Sequence, residues 1–467
     1  MAHEFIYGFL GYLAALGILG ALVHTTSQTA SDFMLGGRSL NYWTTAIAAH
    51  ASDMSLWMFM GLPALAYSTG LTSAWIPLGL MLGMYATWKF IAAPLRIATE
   101  QTKSNTLSAY FDARFSDASG SLKLVSAFFS LWFFTFYISS GLVGMGWLFE
   151  SAFHIDYYIG IILGLFIAIA YTFFGGFSAI AKSHFFQGIF LVIMMVLIPI
   201  IAYFSLPEGT SLLNAMHNKG VSFSLLPAKT RELLMCVILA ISWGIGYFGQ
   251  PHILINFMGI KDPNTMHKAM RIGMLWQFFT FSASLLIGFL GIAFFTQPLD
   301  NAQLVFIQMV EDIFPAIIAG CVLCSIVAAG LTTIATQILV ASSTLANDLY
   351  KYFINPTADQ KTILRISKYG LILVPFVSFL IAFTKSSTVY NLVEYAWFGL
   401  GASFGPVVIA ALYLPRASKT GIFWGMIAGG ATATVWPLLG STVPSMLPAF
   451  FLNLLIIIAT SKCSSKN

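Results

Sequence analysis

Residues 46–65 read "AIAAHASDMSLWMFMGLPAL" and place a histidine and a carboxylate, His50 and Asp53, inside an otherwise apolar run. At the centre of a membrane helix a carboxylate costs about 2.5–3.5 kcal/mol on insertion scales, so it faces a partner or a polar cavity. The rest of the chain shows which solvent applies. Of 467 residues, 58% are hydrophobic and only 8% charged, whereas soluble domains carry about 25% charged residues. Forty-two Phe and successive long apolar runs make the lipid bilayer the solvent for most of the chain.

Thirteen candidate spans lie near 4–24, 41–68, 72–93, 123–152, 157–176, 179–205, 232–252, 272–296, 312–347, 366–383, 388–413, 419–440 and 446–461. The opening "MAHEF" has no Lys or Arg, the apolar part is long for a secretory signal and no clear small-residue cleavage site follows. The first run is therefore read as a helix. With the N-terminus outside, eighteen of the 22 Lys and Arg fall on inside segments, and Lys219, Lys229, Arg231 and Lys385 fall outside. This bias predicts the N-terminus outside and the C-terminus in the cytoplasm, for a multi-pass protein of a bacterial-type inner (plasma) membrane. Topology accounts for the net charge of +5, and no nucleic-acid partner is expected. The expected fold class is an all-α polytopic membrane protein. Its longest polar loops, 94–122, 206–231 and 348–365, are too short to fold alone, so residues 1–467 are read as a single transmembrane domain.

Several function classes are set aside at this point. No HExxH, nucleophile elbow or phosphate loop occurs, so no enzyme is expected. No repeated pore loop points to a channel. "CVLC", residues 321–324, has the spacing of redox and metal pairs. It lies in "AGCVLCSIVAAG" with no second pair and no nearby His, and both cysteines are read as small core residues.

Asp53 stands among Ser52, Ser55 and small alanines, which let the backbone leave helical geometry and present carbonyls. Carbonyl, hydroxyl and carboxylate oxygens are what a hard cation such as sodium prefers. The plainer alternative is an Asp that caps a broken helix or bonds a neighbouring span. A second set of oxygens lies in "SIVAAGLTTIATQ", where Ala329, Thr332 and Thr333 share one helical face. They could complete a shell begun by the carbonyls of Ala51 and Met54, although threonine hydroxyls also bond back to their own helix. In "AISWGIGYFGQPHILINFMG", Trp243 and Tyr247 face the same way, Gly244 and Gly246 weaken the helix, and Gln250 and Pro251 end it. An aromatic pair beside flexible backbone suits a small amphipathic ligand, and equally an interface anchor. Tyr137, in "FFTFYISSG", is a further aromatic hydroxyl. His252 is read as lying at the membrane interface. His50 and His184 are candidates for carrying protons or for plain packing, and Glu394 is a second buried-looking carboxylate near the outer mouth.

Together with "DFMLGGRSLNYW" (32–43) and "YAWFGLGASFGPVV" (395–408), these stretches resemble the sodium/solute symporters, and within that family the branch that carries proline. The resemblance covers nearly the whole chain. It implies about thirteen helices on a five-plus-five inverted repeat with broken helices. An extra N-terminal helix would lie in 1–30, the repeat core in 41–413 and two C-terminal helices in 419–461. It further implies sodium-coupled symport of a small amino acid by alternating access. Proline is the expected substrate and sodium the coupling ion, with no other cofactor. Carried over position by position, the sodium site falls on Ala51, Met54, Ala329, Thr332 and Thr333. Asp53 matches the aspartate required for tight sodium dependence, and Ser55 the adjacent serine. The proline pocket falls on Trp57, Tyr137, Trp243 and Tyr247.

Departures from the pattern sharpen the expectations. Leu56 replaces a glycine and is expected to narrow the pocket. His184 replaces an aspartate, so an additional sodium site is not expected. His50 replaces a glycine, and Glu394 a small polar residue. The alternatives are a proton-coupled carrier using His50, His184 or Glu394, a carrier of a different small solute, and a transporter-like solute sensor.

Overall fold

The computed structural model describes residues 2–23 and 30–464, so 24–29, at the end of the first expected span and within the expected 1–30 segment, lie outside the described residues. The chain opens with α1 (Ala2–Val23) and reaches the first half of a broken span, α2 (Tyr42–Met54), whose start is capped by the Asn41 side chain accepting from Thr44 N. After a tight turn, Leu56–Met58, comes α3 (Gly61–Thr69). Then follow α4 (Trp75–Ala86), α5 (Ser121–Phe153) and α6 (Tyr157–Phe204). The last contains two expected spans, because Gly176 at φ 68° and ψ 168° turns the chain back between them. A second broken span comprises α7 (Thr230–Ile245), a tight turn at Gly246–Gly249 and α8 (Pro251–Met258). Pro251 opens α8, where its missing N–H is no loss. The remainder is α9 (Met266–Phe294), α10 (Ala316–Ser343), α11 (Gln360–Phe383), α12 (Val389–Tyr413), α13 (Lys419–Val435) and α14 (Met446–Ser464).

Each of the thirteen expected spans coincides with a helical stretch. Among the described residues nine helical runs are long and apolar enough to cross a bilayer, and Tyr7–Ile18, Tyr157–Phe173 and Met446–Ser461 are shorter apolar helices. In α10 and α12, 83% of the most apolar window is buried, against 33% in the run beginning with α13, which sets the first two at the centre and the last at the edge.

The two broken spans run in opposite senses, five spans apart, side by side. Leu40 N–H donates to the Gly259 carbonyl at 3.1 Å and Lys261 N–H to the Leu40 carbonyl at 2.8 Å, so the start of one meets the end of the other, as an inverted repeat demands. Arg38 donates to Met258 O and Arg96 to Ile260 O, both at 2.7 Å. These guanidiniums satisfy carbonyls that a helix C-terminus leaves unpaired. A methyl group on Gly79 or Gly83 would collide with the backbone at Ala240 or Gly244, so glycine is what brings α4 and α7 so close. The reading of "CVLC" holds for Cys324, which is buried; Cys321 is exposed on the outer face of α10.

Candidate functional site

At mid-chain of the first broken span the helix stops at Ser55, whose φ of 39° and ψ of −173° are foreign to any helix. A side-chain-bearing residue held there costs about 1–3 kcal/mol and persists only when its neighbours over-determine it. Two bonds do so: Ser55 N–H donates to Thr333 Oγ1 at 3.0 Å, and Trp57 N–H to Ser55 Oγ at 3.1 Å. Thr332 Oγ1 lies 2.8 Å from the Ala51 carbonyl and 3.0 Å from that of Ala329, and Thr333 Oγ1 lies 3.4 Å from Ala51 O. Four of the five expected sodium oxygens therefore gather where α10 crosses the end of α2.

The fifth does not join them. The described chain has no cis peptide bond. In a trans peptide the carbonyl and N–H point in opposite directions. Because Ser55 N–H is aimed at Thr333 Oγ1, the Met54 carbonyl on the same peptide is turned away from it.

The other side of the turn faces a pocket. Its lining includes every expected aromatic, Trp57, Tyr137, Trp243 and Tyr247, with Asp53, Met54 and Ser55. It also includes four residues missed in the sequence: Leu80, Phe281, Val393 and Trp397. Ring centroids lie 5.3 Å apart for Trp57 and Trp243, and 4.8 Å for Tyr247 and Trp397. The pocket is narrow: its lining residues are all buried and its cavity is about 10 Å³, the room of a single water. Asp53 Oδ2 accepts from Tyr247 OH at 2.5 Å, and Tyr247 OH accepts from Gln277 Nε2 at 3.0 Å. The signal for Gln277 was a lone amide in an apolar run. Leu80 and Val393 gave none, because an aliphatic side chain on a span reads the same in core, pocket or lipid.

Two expectations are corrected. Leu56 does not narrow the pocket. Its side chain fills a notch of small residues on α5 and α10, where a Cβ on Gly144 would sit 3.0 Å from Leu56 Cδ2 and one on Gly330 2.8 Å from Leu56 Cδ1. The tight turn after Ser55 swings residue 56 away from the side that Trp57 occupies. His252 is not at the interface either. It is fully buried, with Phe134 at 5.7 Å and Tyr137 at 5.3 Å edge-on to its ring, because α8 begins inside the helix bundle against α5.

The remaining candidates lie apart from the pocket. His50 sits between Trp88 and Trp276, its Nε2 accepting from the Trp88 indole at 3.3 Å. His184 stacks on Tyr171, and Glu394 accepts from Tyr390 OH at 3.2 Å. Among the described residues no three His, Cys, Asp or Glu side chains cluster as a metal centre; the oxygens gathered where α10 meets the Ser55 turn are carbonyls and hydroxyls.

A model of the sodium:solute symporter family matches residues 33–429. The high-affinity proline transporter PutP of Bacillus subtilis (strain 168) is 38% identical over 450 residues, covering 95% of both chains. The osmoregulated proline transporter OpuE of the same organism is 35% identical over 474 residues, covering 100% of this chain and 96% of its own. A sodium/proline symporter of Staphylococcus aureus is 37% identical over 471 residues, covering 97% of this chain and 92% of its own. Among solved structures, a Na+-coupled sialic acid symporter in a substrate-bound outward-open state superposes with a TM-score of 0.81 at 18% identity over 98% of both chains. A nucleobase-cation-symport-1 family transporter in a closed conformation reaches 0.56 at 15% identity, over 94% of this chain and 96% of its own. At such identities these two likenesses speak for the fold alone.

Proposed function

The chain belongs to the sodium:solute symporter family, and on that premise we propose that it couples sodium influx to uptake of a small amino acid, L-proline, by alternating access. One observation carries this reading: the Ser55 turn has hard-cation oxygens on one side and an aromatic pocket on the other. The proline assignment rests on the relatives' names, and on a pocket whose shape Leu56 leaves alone.

Sodium moving inward gains about 2.3 kcal/mol per 100 mV of inside-negative potential. It would be held by the carbonyls of Ala51 and Ala329 and by the oxygens of Thr332 and Thr333, whose protons turn away from the carbonyls they now face. Rotation of the Met54–Ser55 peptide would add the Met54 carbonyl. The same rotation would free Ser55 N–H for a substrate carboxylate and relax the positive φ. Trp57 Nε1 is buried without an acceptor among the described residues, a second donor for that carboxylate. The ring would lie against Trp57, Tyr137, Trp243 and Tyr247. Asp53 supplies the negative charge that favours the cation. Because one peptide serves both ligands, each promotes binding of the other, a coupling free energy between two sites. The transport core is assigned to 41–413, flanked by 1–30 and 419–461, with the N-terminus outside and the C-terminus in the cytoplasm.

The test is uptake of labelled L-proline into proteoliposomes of purified protein, with an inward sodium gradient or with choline in its place. Accumulation with sodium only is expected. Accumulation in choline contradicts sodium coupling, and failure in both, with another amino acid accumulated under sodium, contradicts proline.

A further inference from the structure

We propose that Gln277 is a positioning residue that commits the hydroxyl proton of Tyr247 to Asp53, and so sets how much sodium the carrier requires; this rests on the function proposed above. Gln277 is the amide in "LWQFFTF", residues 275–281 of α9, and is fully buried. Its Nε2 donates to Tyr247 OH at 3.0 Å, and Tyr247 OH donates to Asp53 Oδ2 at 2.5 Å. The chain thus links α9, the turn after α7, and α2.

The direction of these bonds follows from counting protons. A phenol has one, and the bond of 2.5 Å gives it to Asp53 Oδ2. The proton between Tyr247 and Asp53 is therefore the phenol's, and the phenol oxygen is left with lone pairs only. Gln277 must turn its nitrogen toward that oxygen. Its own Oε1 is buried with no partner among the described residues. Burying an amide with half its hydrogen-bonding capacity unmet is unfavourable, so the role of this residue lies in what its nitrogen does.

Donation into the phenol oxygen polarises the O–H and strengthens the bond it makes onward. It also stops the hydroxyl from rotating about the C–O bond toward any other acceptor. Asp53 is thereby held in one orientation at the end of α2, two residues from the strained turn. Without the amide the phenol proton is free to leave Asp53. The carboxylate then loses its fixed direction, and the cation meets a site that must be ordered as it binds.

Two substitutions test this by labelled L-proline uptake into proteoliposomes across a sodium series. Gln277→Met keeps length and removes the donor; Gln277→Glu keeps shape and offers a second acceptor that competes with Asp53 for the phenol proton. Gln277→Met is expected to raise the sodium concentration for half-maximal uptake about 3- to 10-fold, the weight of one ordinary hydrogen bond. Proline half-saturation at high sodium should stay within about twofold. Gln277→Glu is expected to raise the sodium requirement at least as far. If one variant does not fold, the other decides. A merely structural role would lower the amount of folded protein or the maximal rate and leave sodium half-saturation in place. Unchanged sodium half-saturation, or an equal rise for proline, overturns the proposal. Failure of the unmodified protein to take up proline with sodium overturns the proposed function instead.

Discussion

Asp53 holds its carboxylate against the Tyr247 hydroxyl inside a narrow, buried aromatic pocket, and a neutral isostere separates its charge from its shape. Asp53→Asn is expected to raise the sodium concentration for half-maximal uptake by about tenfold or more, since about 1.4 kcal/mol of lost attraction suffices, with membrane abundance near that of the unmodified protein. Equal sodium dependence of the two proteins would remove Asp53 from the sodium account. Leu56 poses the opposite case. Its side chain is buried against Gly144 and Gly330 and directed away from the pocket. Leu56→Ala should destabilise by about 2–5 kcal/mol, the usual range for opening such a cavity. A lowered melting temperature in detergent, with an unchanged ranking of competing amino acids, is the expected pair of results. A changed ranking would mean that residue 56 does shape the pocket.

At the scale of the element, the broken span is held open by a bond from another helix. Ser55 would adopt its positive φ reluctantly, and Thr333 Oγ1 on α10 is what receives its N–H. Glycine tolerates such a φ without penalty, whereas alanine does not. Ser55→Gly and Ser55→Ala both remove the Oγ that Trp57 N–H uses, so comparing them isolates the strain. If sodium binding releases that strain, the glycine variant should need several-fold more sodium than the alanine variant, because its sodium-free turn is already relaxed. Matching sodium titrations for the two would show that the turn does not change on binding. The second broken span was legible from "GYFGQP", since a proline cannot continue a helix and glycines weaken it. The first was legible only as a place where small residues would permit a break.

For the whole molecule, a charge pair outside the membrane ties α13 to the loop before α5. Asp117, between the short helix Leu107–Arg114 and α5, accepts from Leu122 N–H and the Ser119 and Ser121 hydroxyls and pairs with Lys419 at 2.5 Å at the start of α13. Burial opposes its ionisation, but the bonds from Leu122, Lys419 and Ser119 together outweigh burial and hold its carboxyl well below the usual carboxylate range. A depressed folded-state value contributes stability that is full above about pH 4, the ordinary unfolded range, and is lost as pH falls through the folded value. The melting temperature of Asp117→Asn should therefore fall short of the unmodified protein by a constant amount near neutrality, and the shortfall should shrink below about pH 4. A shortfall independent of pH down to acid would assign the effect to shape. Topology has its own check. In a cysteine-free background, a cysteine at Asn214 should react with an impermeant maleimide in intact cells, and one at Thr357 only after lysis. The reverse pattern would invert the orientation read from Lys and Arg.

The sequence by itself determined the membrane solvent, the positions of the spans and the stretches that form the candidate site. These depend on properties summed along the chain, namely apolar length, charge bias and the presence of residues that break helices. The tertiary structure alone decided that Leu56 turns into glycine notches, that His252 is buried beside Tyr137, that the Met54 carbonyl faces away from Thr333, and that Gln277 reaches Tyr247. Helical periodicity assigns a face only while the helix lasts. Past a break the direction of each side chain is set by partners such as Thr333, 278 residues away from Ser55, which no local pattern encodes.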